Sequence, residues 1–108
     1  MSIVTDVLVK INSAYDGSAT IDIGDASNAG GFLPNASIAA ATLGVYGETV
    51  TSRGVYLYDS ANKISLRKFY ASDTDIKATV GGSPTPTAGS ATIYVVYIKL
   101  EDVAEELA

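Results

Sequence analysis

The sequence holds no cysteine, no histidine and no tryptophan, with one methionine and three prolines among 108 residues. Each absence removes a class of chemistry. Without histidine there is no imidazole base, no serine–histidine pair and no imidazole metal ligand. Without cysteine there is no thiolate nucleophile, no disulfide staple and no zinc–thiolate site. Long apolar runs are missing too, and no segment approaches the roughly 20 residues that a bilayer-spanning helix needs. Basic charge is scarce: Lys and Arg number 7 against 12 Asp and Glu, for a formal net charge of −5. That balance argues against a nucleic-acid surface. The one local excess of base is Arg53, Lys63, Arg67, Lys68 and Lys77 against Asp59, Asp73 and Asp75, which reads as a solvated strand face.

What is present builds sheets. The seven tyrosines sit among short alternating runs of valine, isoleucine and threonine, while alanine and glycine take the remaining space. The length suits a single domain, 1–108, with 101–108 as a short acidic tail that is either helical or mobile. Such a chain buries roughly 65% of its unfolded surface, enough for a core without staples. The first residues alternate and carry Asp6 and Lys10, unlike a secretory leader. The lack of cysteine fits assembly in a reducing compartment.

Ile3 to Ile11 reads as a strand with Val7, Val9 and Ile11 on one face and Leu8 and Lys10 on the other. Asp16-Gly17 supplies turn chemistry before a second strand, Ala19 to Ile23, and the two are expected to form an antiparallel hairpin. Residues 24–31 form a loop by composition; in 35–44 the alanine run favours helix by propensity while Ile38, Leu43 and Val45 fit a strand bordered by Gly44 and Gly47, and extended structure with one helical turn is favoured. Val55 to Tyr58 is a strand with Tyr56 and Tyr58 on one face, turned at Asp59 to Asn62 into Ile64 to Tyr70. Asp73 to Val80 is another strand, with Ile76, Ala78 and Val80 sharing a face, and the loop 81–87 leads to the longest strand, Ala91 to Leu100. The pattern predicts an all-β antiparallel sandwich of seven to eight strands.

The last strand is apolar on both faces. Ile93, Val95 and Tyr97 occupy one side, and Tyr94, Val96, Ile98 and Leu100 the other. A sheet with one face in water alternates apolar with polar. The expectation is that the domain interior covers the first side and a second copy of the chain covers the other. Tyr94, Val96, Ile98 and Leu100, joined by Tyr56 and Tyr58, are therefore the candidate oligomer interface, with Tyr70 as a further exposed tyrosine.

Candidate chemistry is thin. Asp22, Asp25 and Asn28 offer oxygens to calcium, but the spacing lacks the Asp-x-Asp-x-Asp-Gly run and the late glutamate of an EF-hand. Asp25 and Asn28 are better explained as side chains bonding their own turn. Asp73 and Asp75 share a face and could in principle serve glycoside hydrolysis, yet turn capping and solubility explain them more simply. Gly30-Gly31 and Gly81-Gly82 match no phosphate-binding spacing. No catalytic residue, metal or cofactor is expected.

Two blocks carry a resemblance. The first runs through Val7-Leu8-Val9-Lys10-Ile11, Tyr15-Asp16-Gly17-Ser18-Ala19-Thr20-Ile21-Asp22-Ile23-Gly24-Asp25 and Phe32-Leu33. The second runs through Asp73 to Val80, a Gly/Thr/Pro loop, and Ala88-Gly89-Ser90-Ala91-Thr92-Ile93-Tyr94-Val95-Val96-Tyr97. Their order resembles small virion proteins of tailed bacteriophages, including capsid decoration (cement) proteins, over roughly two-thirds of the chain. The resemblance implies a jelly-roll-like sandwich that oligomerises, often as a trimer, on the outer shell, with the major capsid protein as partner and no nucleic acid or membrane. It implies a virion location after synthesis in the host cytoplasm, and it supplies no catalytic residue. The first 15 residues lack the Pro-rich arm by which some decoration proteins grip the shell. A phage fibre or appendage module binding host-surface glycan is the alternative, and a small hydrolase or lyase is disfavoured by the missing histidine.

Overall fold

The computed structural model describes residues 1–101. The chain folds as all-β, with antiparallel pairing throughout: β1 (Ser2–Ser13), β2 (Thr20–Gly24), β3 (Gly44–Tyr46), β4 (Tyr58–Asp59), β5 (Ile64–Ser65), β6 (Lys68–Tyr70), β7 (Lys77–Gly81) and β8 (Ser90–Lys99). Single 3₁₀ turns occupy Asn35–Ser37 and Val50–Ser52. Among the described residues no helix is long and apolar enough to cross a membrane.

β1 is the spine of the larger sheet. Along one edge it pairs with β8 for nearly its whole length; along the other it pairs with β6 near its start and β3 near its end. The sequence explains this position. Val7, Val9 and Ile11 alternate onto one face and are buried, as the spacing predicts. Val4 joins them because the register with β8 shifts between Val4 and Asp6, a bulge that spends an extra residue on β1. Arg53 pins the bulged segment from outside, its guanidinium 2.8 Å from the Asp6 carboxylate and its Nε–H donating to Gly47 O at 2.9 Å.

The expected β1–β2 hairpin does not form. β2 pairs with β7, and β1 has no register with it. The Asp16-Gly17 turn carries the chain away from the first sheet, with Gly17 at φ +64°, a conformation glycine adopts at no steric cost. Asp16 fixes the crossing by accepting from Thr87 N, Thr87 Oγ1 and Ala88 N at 2.7, 2.6 and 3.0 Å. The second expected hairpin survives only as the two-residue ladder of β4 with β5, after which β6 leaves to join β1. Asp59 does turn that hairpin, accepting from Ala61 N and Asn62 N.

Ile21 and Ile23 point inward from β2 and meet the inner face of β1. Phe32 and Leu33 complete the core because the loop after β2 folds back on it: Ile23 N donates to Leu33 O and Phe32 N to Ile23 O, both at 2.9 Å. Ile38, Ala40 and Leu57 close the cluster. Full burial of each large aliphatic or aromatic side chain contributes about 1.5–3 kcal/mol. Residues 35–44, expected to be extended with one helical turn, instead run through the 3₁₀ turn Asn35–Ser37 and a second turn closed by Thr42 N donating to Ala39 O at 3.0 Å, and strand begins only with β3 at Gly44. The acidic tail lies, apart from Glu101, outside the described residues.

Candidate functional site

β8 is an edge strand. It pairs with β1 on one side, and among the described residues nothing pairs with the other. Opposed residues of an antiparallel pair share a sheet face, so the register sorts its side chains. Ala91, Ile93, Val95 and Tyr97 lie opposite Ile11, Val9, Val7 and Val4, on the core side. Thr92, Tyr94, Val96 and Ile98 lie opposite Lys10, Leu8, Asp6 and Ile3, on the outer side.

Both sides are more open than the sequence suggests. On the outer face Tyr94, Val96 and Ile98 are each 50% exposed. Ile3 sits between Ile98 and Phe69 of β6, which is also 50% exposed, so the row Phe69–Ile3–Ile98 continues the patch across three strands. On the core side only Ala91 and Val95 pack against the buried cluster. Tyr97 is 62% exposed and Ile93 36%, where interior cover was expected. The shorter β2–β7 sheet leaves this end uncapped. A groove of about 300 Å³ opens there between Val4, Val95 and Tyr97 on one side and Tyr70 and Ile76 on the other. Strand alternation assigned neither Tyr97 nor Phe69 to the surface: Tyr97 lies on the core side beyond the reach of the second sheet, and the pairing of β6 with β1 sets Phe69 beside Ile3 on the outer face.

The other candidate interface residues divide. Leu100 is half-buried, its N–H donating to Met1 O at 3.0 Å. Tyr58 is half-buried at the wall of a separate groove of about 480 Å³, lined also by Asp22, Asn28, Pro34, Thr51 and Arg53. Tyr56 belongs to the interior, as does Tyr70. The Tyr56 ring stands edge-on to Phe32 at 5.2 Å between centroids, and Tyr70 is tilted against Phe32 at 6.4 Å.

Both tyrosine hydroxyls donate to one carboxylate, Tyr56 to Asp25 Oδ1 at 2.9 Å and Tyr70 to Oδ2 at 2.7 Å. Ser27 N and Asn28 N also donate to Asp25 Oδ1, the turn bonding expected of this loop. Asp25 is 6% exposed. Burial pushes its pKa up, but the Tyr70 hydroxyl, Asn28 N–H, Tyr56 hydroxyl and Ser27 N–H outweigh that and hold it below the usual 3.8. Burial and the neighbouring carboxylate raise both tyrosines. Lys68 Nζ lies 4.2 Å from the Tyr56 ring centroid and 5.4 Å from that of Tyr70, supplying a nearby cation. With every oxygen of Asp25 engaged, the cluster is a structural clasp and offers no free base or ligand.

Among the described residues no three acidic side chains gather as a metal ion requires. Asp73 and Asp75 are exposed on the approach to β7, beside Tyr97 and Lys99. The basic excess is dispersed, since Arg53 is engaged by Asp6 and Lys68 covers tyrosine rings. No protein-family model matches the chain, and no match was found among curated proteins or solved structures.

Proposed function

We propose that this chain is a non-enzymatic structural protein that assembles with copies of itself through β8 and the outer face around it. One observation carries the reading: a ten-residue edge strand with exposed apolar side chains on both faces. Large apolar patches on the surface of a lone domain mark contact sites, and an open edge invites strand pairing.

The resemblance to phage decoration proteins supports a more specific role. In it the oligomer binds the major capsid protein on the head shell and stabilises the lattice by mass action, preferring assembled shell to free subunits. Jelly-roll connectivity and a virion location belong to this proposal. The test is mass by light scattering on the full chain, followed by co-sedimentation with expanded capsids. Oligomers that pellet with capsids and raise their disassembly temperature support it; a chain that stays in the supernatant at saturating concentration removes the shell role.

The groove beside Tyr58 favours a second reading, a module that binds host-surface glycan. An aromatic ring with Asp22 and Asn28 at the wall suits sugar stacking and hydroxyl recognition. Binding of bacterial surface polysaccharide that is lost in Tyr58→Ala would favour it over the shell role.

A further inference from the structure

Resting on the reading of β8 as an assembly surface, we infer that its partner is β8 of a second copy, antiparallel across a two-fold axis through Val95, joining the two larger sheets into one. Exposed edges are ordinarily blunted by proline, a bulge or an inward-pointing charge. β8 has none of these: from Ser90 to Lys99 it contains no proline or glycine, and its only charge is the terminal Lys99. Both register shifts place the extra residue on β1, which leaves β8 regular. A strand of this length runs about 33 Å. Paired end to end with its twin, it supplies about ten main-chain hydrogen bonds, as many as a standard protein interface carries.

Symmetry and side-chain matching select the register. Opposed residues must lie on the same sheet face, so a two-fold axis normal to the sheet lies midway between a residue and its own counterpart and never level with the gap between two successive residues. The stretch Ile93 to Ile98 reads the same in both directions, but its midpoint falls between Val95 and Val96 and would oppose residues of opposite faces. Centring on Val95 places Tyr97 against Ile93 of the second copy and Tyr94 against its Val96, aromatic on β-branched in each row. The core-side row then runs Val9, Ile93, Tyr97 of the second copy, Val4 of the second copy, continuing the apolar interior across the axis. This covers the exposed flanks of Tyr97 and Ile93. Lys99 lands opposite Ala91, and the two lysines sit at opposite ends. Centring on Tyr94 instead sets Tyr97 against Ala91, Ile98 against Ser90, and Lys99 against Gly89, whose φ of +128° leaves the extended region. The contact is isologous, so assemblies built on it are dimers or multiples of dimers, in place of the trimer implied by the resemblance.

The chain's lack of cysteine gives a clean test. Val95→Cys alone should form a disulfide-linked dimer on mild oxidation. A mixture of Tyr94→Cys and Val96→Cys proteins should cross-link, while each alone should not, because diagonal neighbours about 7–8 Å apart exceed disulfide reach. Positions 94 and 96 are half-exposed, so these variants should keep the native circular dichroism even where Val95→Cys perturbs the fold. Cross-linking of Tyr94→Cys with itself overturns the Val95 register. An oligomer in light scattering with none of these cross-links overturns the pairing of β8 about Val95 but leaves assembly through the outer face standing. A monomer at high concentration removes both.

Discussion

Asp25 is the point where two distant aromatic side chains and its own turn meet. Removing one donor tests that. Tyr70→Phe keeps the ring against Phe32 but deletes the hydrogen bond to a buried charge, which is worth about 1.5–3 kcal/mol. The expected result in urea titration is a lower midpoint with unchanged slope, and a Tm lower by about 4–8 °C per kcal/mol. No loss would mean that the hydroxyl is as well satisfied by water. The pH dependence follows from the same geometry. Asp25 titrates below 3.8 when folded, so the unfolded chain takes up the proton first. Its stabilisation is complete above about pH 4 and is lost as pH falls through the folded-state pKa. Asp16, exposed, and Asp59, half-buried, are also lowered, by bonds to Thr87 and Asn62, and act in the same direction. Asp25→Asn should therefore flatten the acid limb without abolishing it. Tyr56 and Tyr70 are raised above 10.0, so their stabilisation holds below that pH and fails as alkali ionises them. Gly31 belongs to the same cluster: a Cβ there would collide with the Tyr56 ring.

At the scale of elements, alternation was the most legible signal. The inward faces of β1 and β2 could be read from Val7, Val9, Ile11, Ile21 and Ile23 because period-two spacing is local. Partner choice was not local. The turn at Asp16 reads like a hairpin, yet its carboxylate is satisfied by Thr87 and Ala88, more than 70 positions away. Tyr56 and Tyr70 read as surface tyrosines because their acceptor lies 31 and 45 positions off, and nothing in their own segments announces it. The apolar outer side of β8 was legible; the exposure of its other side was not, since that depends on how far β2 and β7 reach. A prediction belongs here. Tyr94→Asp or Val96→Asp places a charge in the patch without touching the core, so circular dichroism should stay strand-like while sedimentation shows weaker self-association. An unchanged oligomer in both variants would move the interface off β8.

At the scale of the molecule, the described residues leave a row of apolar side chains in water, the surface that the proposed assembly would cover. Leu43, Val55 and Ile64 are exposed too, and exposed apolar side chains are in themselves ordinary. Phe69, Ile98, Val96 and Tyr94 are different because they are contiguous on one sheet face. If a second copy covers them, as proposed, folding is coupled to association and stability depends on concentration. For a two-chain assembly, each tenfold rise above the dissociation constant adds about 1.4 kcal/mol per pair. Shared between two chains, that raises Tm by about 3–5 °C. Scanning calorimetry over a hundredfold range should therefore show a climbing Tm in the native protein and a flat one in Val96→Asp at concentrations where it is monomeric. The net charge of −5 opposes close approach, so added salt should steepen association at low concentration by screening it. If Tm is flat for the native protein while light scattering reports oligomers, the copies touch without stabilising one another, and the β8 face is not what joins them.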